Sequence, residues 1–212
     1  MICVSISTKN VDQCIEMIRD EELAEIRLDL TDFDHEAIKK VFTQKVKLVA
    51  TLRPGKMNES ERLELLKQAI KSGASFIDIE YEADVKYRKE LVEFSKEHGC
   101  QVIISYHNFN ETPSRNELER IVSDCYFYGA DIAKIASQVN ENADMANLLS
   151  LYNTSKRLVV FGMGDKGKIT RVLALMLGAE FTFAAPDNGV VTAPGQLKKS
   201  ELIRIQNQFE NI

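Results

Sequence analysis

The chain has 212 residues, 44% of them hydrophobic and 28% charged, with a formal net charge of −5. That length buries one sizeable core, as one domain or two small ones, and the composition excludes wholesale disorder. The acidic balance argues against nucleic-acid binding, so an anionic ligand must be drawn in by a few placed arginines and lysines.

Taken in chain order, short apolar runs rich in β-branched residues alternate with longer segments of helical period. The candidate strands begin near Ile2, Leu23, Lys47, Phe76, Gln101, Ile132, Arg157 and Phe181. Among the helices, Glu59–Ser72 puts Leu63, Leu66, Ala69 and Ile70 on one face. Glu117–Tyr128 does the same with Leu118, Ile121, Val122 and Cys125, and Gln196–Phe209 closes the chain. Gly73, Gly99, Gly129 and Gly178 each follow a helix and precede a strand, the usual place of a C-terminal helix glycine. The alternation implies βαβ units and a parallel sheet. Eight units of about 26 residues consume the whole chain, which predicts an α/β fold, a single-domain (β/α)8 TIM barrel over residues 1–212. An open doubly wound sheet is the alternative, but the first strand is followed by Ser-Thr-Lys-Asn rather than a glycine fingerprint.

The four cysteines, Cys3, Cys14, Cys100 and Cys125, form no CxxC and stand at no zinc-ligand spacing from a histidine. They predict free thiols in a reducing compartment. The N-terminus lacks a basic segment ahead of its short apolar run, and no apolar stretch approaches the roughly 18 residues of a membrane span. The expectation is a soluble, cytoplasmic protein that binds neither nucleic acid nor membrane.

In a TIM barrel the chemistry sits at the C-terminal ends of the strands, so polar residues there carry the information. Strand two places Glu25, Arg27 and Asp29 at alternate positions, hence on one face, where they must pair with each other or with a ligand. Strand three ends at Arg53, and strand four carries Asp78 and Glu80 on one face. His107 stands where the apolar run of strand five stops, placed for proton transfer near neutral pH, whereas His35 and His98 belong to solvent-facing helix ends. Lys134 interrupts the apolar strand Ile132–Ala136. Burial disfavours an ammonium, and a neutral amine attacks carbonyls to form imines. The competing reading is a lysine snorkelling from an edge strand. Residues 162–167, with three glycines, precede a helix containing Arg171, and such a turn can hold an anion. The longest loop, Pro186 to Pro194, follows strand eight as a candidate lid.

A lysine and a histidine on adjacent strands fit imine chemistry on a ketone, with a proton removed from the neighbouring carbon. Arginines would hold a carboxylate, so a small oxo-acid is the expected substrate, with no metal or cofactor required. These residues, in order, resemble type I 3-dehydroquinate dehydratases, the Schiff-base dehydratases of the shikimate pathway. The resemblance runs through Glu25–Asp29, Thr51–Arg53, Asp78–Glu80, Ser105–Phe109, Gly129–Ala136, Gly162–Gly164 with Arg171, and Ala193–Gln196.

It implies that Lys134 forms an imine with the C3 ketone of 3-dehydroquinate. His107 would take the C2 proton and return a proton to the departing C1 hydroxyl. Glu25, Arg27 and Arg53 would contact hydroxyl and carbonyl-side groups, and Arg171 the carboxylate. Gln196 and Thr192 would close over the ring, and Ser5 would line the site. A homodimer is likewise implied.

Two departures stand out. Relatives carry Glu-Gly-Gly after the strand-three arginine, and its glutamate pairs with the histidine. Here residues 54–59 put Met57 at that position, and Glu59 is the nearest carboxylate. Either Glu59 shifts into place or His107 has no such partner. In the lid, Thr192 stands where many relatives have serine. A class I aldolase or transaldolase using the glycine turn for a phosphate, and a non-catalytic barrel, are the competing readings.

Overall fold

In the structure, a computed structural model that describes residues 1–55 and 57–210, each apolar run becomes a strand. The strands are β1 (Ile2–Ile6), β2 (Leu23–Arg27), β3 (Lys47–Thr51), β4 (Phe76–Glu80), β5 (Gln101–Asn108), β6 (Ile132–Gln138), β7 (Leu158–Met163) and β8 (Thr182–Ala184). Neighbours pair in parallel in the order β7-β6-β5-β4-β3-β2-β1-β8. The barrel closes at its base, where the Glu180 N–H donates to the Leu158 carbonyl at 2.9 Å.

Helices follow every strand: α1 (Val11–Ile18), α2 (His35–Phe42), α3 (Glu59–Lys71), α4 (Val85–Glu97), α5 (Arg115–Phe127), α6 (Asn142–Ser150), α7 (Gly164–Met176) and α8 (Lys199–Glu210). Their starts are set by side-chain caps, such as Asp34 for α2 and Asn58, in a reciprocal capping box with Glu61, for α3. The expected eight-unit TIM barrel is thus what the described residues form.

Two apolar regions result from the period-two alternation of the strands. Outward residues such as Ile6, Ile26, Ile77 and Ile104 pack under the helices. Inward residues Leu23, Val49, Ile103, Ile132, Phe181 and Phe183 plug the barrel. Above this plug the inward face divides. Strands β1 to β6 present Ser5, Glu25, Thr51, Asp78, Ser105 and Lys134, all buried. Strands β7 and β8 present Phe161 and Phe183.

Three expectations need correction. Strand two ends at Arg27, and Asp29 lies in a single 3₁₀ turn, Leu28–Leu30, from which its carboxylate folds back onto Arg27 at 2.7 and 3.0 Å. The last helix begins at Lys199, because the Gln196 side chain is committed to hydrogen bonds within the preceding loop. Residues 162–167 form no glycine turn: α7 starts directly at Gly164, after β7.

The glycines there serve close packing. A Cβ on Gly167 would overlap the backbone of Gly162, and one on Gly162 would overlap Val139. Gly167→Ala is therefore expected to force α7 off β7 and to cost about 1–3 kcal/mol in urea unfolding. An unchanged unfolding midpoint would remove this account of the two glycines.

Candidate active site

At the C-terminal ends of the strands lies a cavity of about 460 Å³, a size suited to a small molecule. Its walls include Ser5, Glu25, Arg27, Arg53, His107, Lys134, Arg171, Thr192 and Gln196, so the structure brings together the expected site residues except Glu59.

Lys134 is 4% exposed. It is not a snorkelling edge lysine, because β6 pairs on both sides, with β5 and β7. Its Nζ donates to Asp78 Oδ2 at 2.8 Å and sits 4.1 Å from the centre of the Phe183 ring. The amine thus occupies the seam between the polar and aromatic halves of the barrel, with one buried counter-charge. Asp78 also accepts from Arg53 at 2.8 Å and from Ser105. Burial alone would raise the Asp78 pKa, but Arg53, Lys134 and His107 hold it well below the usual carboxylate range. For Arg53, burial opposes the charge, yet Asp78 and Glu80 outweigh it and raise the pKa.

His107 faces the same cavity, with Phe109 stacked nearly parallel to it at 6.2 Å between ring centres. Its pKa is pushed well below 6.5, first by burial and then by Arg53 and Lys134, with Asp78 opposing. The imidazole is therefore neutral at pH 7. Among the described residues no carboxylate hydrogen-bonds to it.

Glu59 does not shift into place: it is exposed in the first turn of α3, where the Asn58 cap fixes the helix start, and it lies outside the cavity. Of the stretch 54–59, residue 56 lies outside the described residues. Three glutamates line the cavity with His107: Glu25, Glu80 and, exposed after β4, Glu82, which the strand pattern does not single out. Partial burial, together with Glu80 nearby, raises its pKa.

Glu25 has both carboxylate oxygens occupied, by the Ser5 hydroxyl at 2.7 Å and the Thr51 hydroxyl at 2.8 Å. Gln196 Nε2 donates to Ser5 Oγ at 3.2 Å, while its Oε1 accepts from the Thr192 N–H and hydroxyl. The loop after β8 is in this way tied to the barrel floor, with Arg27 also donating to the Thr192 carbonyl at 3.4 Å.

Arg171 is fully buried and meets only carbonyls, those of Gly195, Phe183 and Pro194 at 3.1 to 3.4 Å, and the face of Phe161. Burial draws its pKa down to about 10, so it is still charged at pH 7. No carboxylate among the described residues pairs with it. A buried, unpaired guanidinium opening into a cavity is the chemistry of an anion site.

A parallel (β/α)8 barrel with a buried lysine on its sixth strand and a neutral histidine on its fifth has the architecture of an imine-forming lyase. The sequence profile described as Type I 3-dehydroquinase matches residues 2–211. The chain belongs to that family, and with it is a hydro-lyase of the shikimate pathway.

The 3-dehydroquinate dehydratase of Methanococcus maripaludis strain C6 is 36% identical over 227 residues, covering 99% of this chain and all of the relative. The type I enzyme of Clostridium difficile, solved with covalent modified comenic acid, superposes with a TM-score of 0.87 at 25% identity, covering 100% of this chain and 92% of its own. The Aquifex aeolicus enzyme gives 0.81 at 27%, covering 99% and 98%.

Proposed function

We propose that Lys134 is the imine-forming residue and His107 the proton carrier in the dehydration of 3-dehydroquinate to 3-dehydroshikimate. The observation that carries this reading is the opening of both side chains, with the unpaired Arg171, into one cavity. The Lys134 amine adds to the C3 ketone, and loss of water gives the protonated imine. That cation stands where the ammonium stood, so the ionised Asp78 stabilises it without rearrangement. The imine withdraws electrons from C2, and neutral His107 takes the C2 proton. The protonated imidazole then donates to the C1 hydroxyl, which leaves as water on the same face. Hydrolysis of the imine returns the amine and releases the product, for a net loss of one water. Borohydride added with 3-dehydroquinate should leave a stable adduct on the peptide carrying Lys134. A peptide of unmodified mass would end the imine assignment.

Arg171 pairs in this reading with the substrate carboxylate, while Glu25, Arg27 and Arg53 face its hydroxyl and carbonyl side. Ser5, Thr192 and Gln196 hold the loop closed over the ring. Arg171→Met should raise KM about 100-fold or more, the loss of charge-assisted hydrogen bonds worth about 3 kcal/mol. Because it also removes an unpaired buried charge, the free protein should be as stable as the parent or more so. A KM within about threefold of the parent would move the carboxylate site elsewhere.

The reading extends to a cytoplasmic homodimer. The four free, buried cysteines support the reducing compartment. Ile169 and Met176 on α7, with Ile203 and Phe209 on α8, support a second copy as their cover, being large apolar side chains left exposed. Light scattering at the mass of one chain would refute the dimer.

A further inference from the structure

Arg62 is the one feature of α3 that the helical pattern of leucines does not explain. It takes a buried position one turn before Leu66, and Leu63, expected inside, is only half buried. A guanidinium 4% exposed on a barrel helix is costly unless it is fully paired. It is paired: Nε and Nη2 donate to the Leu52 carbonyl at 3.2 and 2.8 Å, and Nη2 donates to Glu80 Oε2 at 2.9 Å. Its guanidinium lies 5.1 Å from the centre of the Tyr87 ring on α4. It does not line the cavity.

Glu80 is shared, its other oxygen accepting from Arg53 Nη1 at 3.0 Å. Arg53 in turn donates to Ser105 at 2.9 Å and to Asp78 at 2.8 Å, and Asp78 holds Lys134. The charges therefore alternate along one chain, Arg62, Glu80, Arg53, Asp78, Lys134. We propose that Arg62 is a positioning residue for the dehydration: by holding half of Glu80, it keeps Arg53 spread between Glu80 and Asp78, beside the histidine and lysine. It also clamps the carbonyl of Leu52, the residue that precedes Arg53 in the chain.

With Arg62 neutralised, Glu80 draws Arg53 toward itself. His107 is faced by Arg27 at the end of β2, Arg53 after β3, Asp78 on β4 and Lys134 on β6, and shares its cavity with Glu25 on β2, Glu80 on β4, Arg171 on α7 and Glu82 at the rim. Of these, the withdrawal of Arg53 removes a cation and leaves Asp78 nearer to dominance. The acid limb of kcat/KM should then move upward.

The inference rests on the roles proposed for Arg53, His107 and Lys134. The test is Arg62→Gln beside Arg62→Lys, each with a melting curve, a pH profile and borohydride trapping. Glutamine can still donate to the Leu52 carbonyl but carries no charge, and lysine keeps the charge without the fork. Arg62→Gln is expected to lower kcat/KM about 10–100-fold and to raise the acid-limb pKa by about half a unit. Arg62→Lys should restore the acid limb to that of the parent. In a Glu80→Gln background, Arg62→Gln should add no further shift. Parent-like kcat/KM and acid limb in Arg62→Gln, or the same shift in the Glu80→Gln background, would overturn the proposal. Failure of the parent itself to trap an adduct would instead strike the imine reading on which it rests.

Discussion

Replacing Lys134 with methionine is expected to lower turnover by at least about 10⁴-fold, a loss of about 5 kcal/mol or more of transition-state stabilisation. No other side chain can take over. The remaining cations of the cavity wall are Arg27, Arg53 and Arg171, whose guanidinium groups do not condense with ketones. The fold should survive, because Asp78 retains Arg53 and Ser105 when the ammonium is removed. Methionine also refills most of the volume beside Phe183. The unfolding free energy should change by about 1–2 kcal/mol, well short of the 3–5 kcal/mol of a buried charge left alone. Lys134→Arg is the sharper control: it keeps a cation on Asp78 but cannot form the imine, and it should be equally inactive. Product formation is followed by the absorbance of dehydroshikimate and covalent capture by mass. More than about 1% of parent turnover in either variant would exclude an imine on Lys134.

The barrel was legible because its strands are buried on both faces and so read as nearly unbroken apolar runs, several of them, β2 to β6, carrying a polar residue toward the C-terminal end. Lys134 and His107 stood out as the costliest interruptions of such runs. Contacts made by direction rather than by sequence spacing were not legible. The period-two rule put Asp29 on the face of Glu25 and Arg27, but it cannot see that a tight turn brings the carboxylate back onto the same arginine.

Asp78 was visible as a strand carboxylate. Its pairing with Lys134, two strands away, depends on the stagger of the barrel, which aligns Lys134 with Ser105 and Ser105 with Glu80. Residues 162–167 looked like an anion loop because glycine is ambiguous: the same residue relieves a turn or lets two backbones approach, and here Gly162 and Gly167 do the second while Gly164 takes a positive φ at the start of α7. Arg62 was hidden for the opposite reason, since a charged residue on an amphipathic helix ordinarily faces water. The signal available was its place four residues before Leu66, on the side that packs against the barrel.

Replacing His107 with alanine should separate the two halves of the reaction. The amine still meets the ketone, so borohydride should still capture an adduct on Lys134, now as the reduced imine of the substrate that has not lost its C1 hydroxyl. Dehydration should fall about 10²–10⁴-fold, the usual contribution of a positioned acid–base group. In the parent, kcat/KM should stay high at pH 7 and decline only below the ordinary histidine value of 6.5, because burial, Arg53 and Lys134 all disfavour the imidazolium.

The same depression links to stability. Below 6.5 the unfolded chain binds a proton that the folded site refuses, so stability is lost as pH falls from 6.5 toward the folded-state pKa. His107→Ala should flatten that part of the stability curve as well as remove the acid limb. Among the described residues no orienting carboxylate hydrogen-bonds to this imidazole, so nothing of that kind favours the imidazolium, and its neutrality comes first from burial and then from Arg53 and Lys134. Raising the salt concentration should therefore move the acid limb little, since buried charges are poorly screened. An His107→Ala variant that dehydrates at the parent rate would transfer the proton role to another group of the cavity. Glu82, at its rim, would then be the first to test.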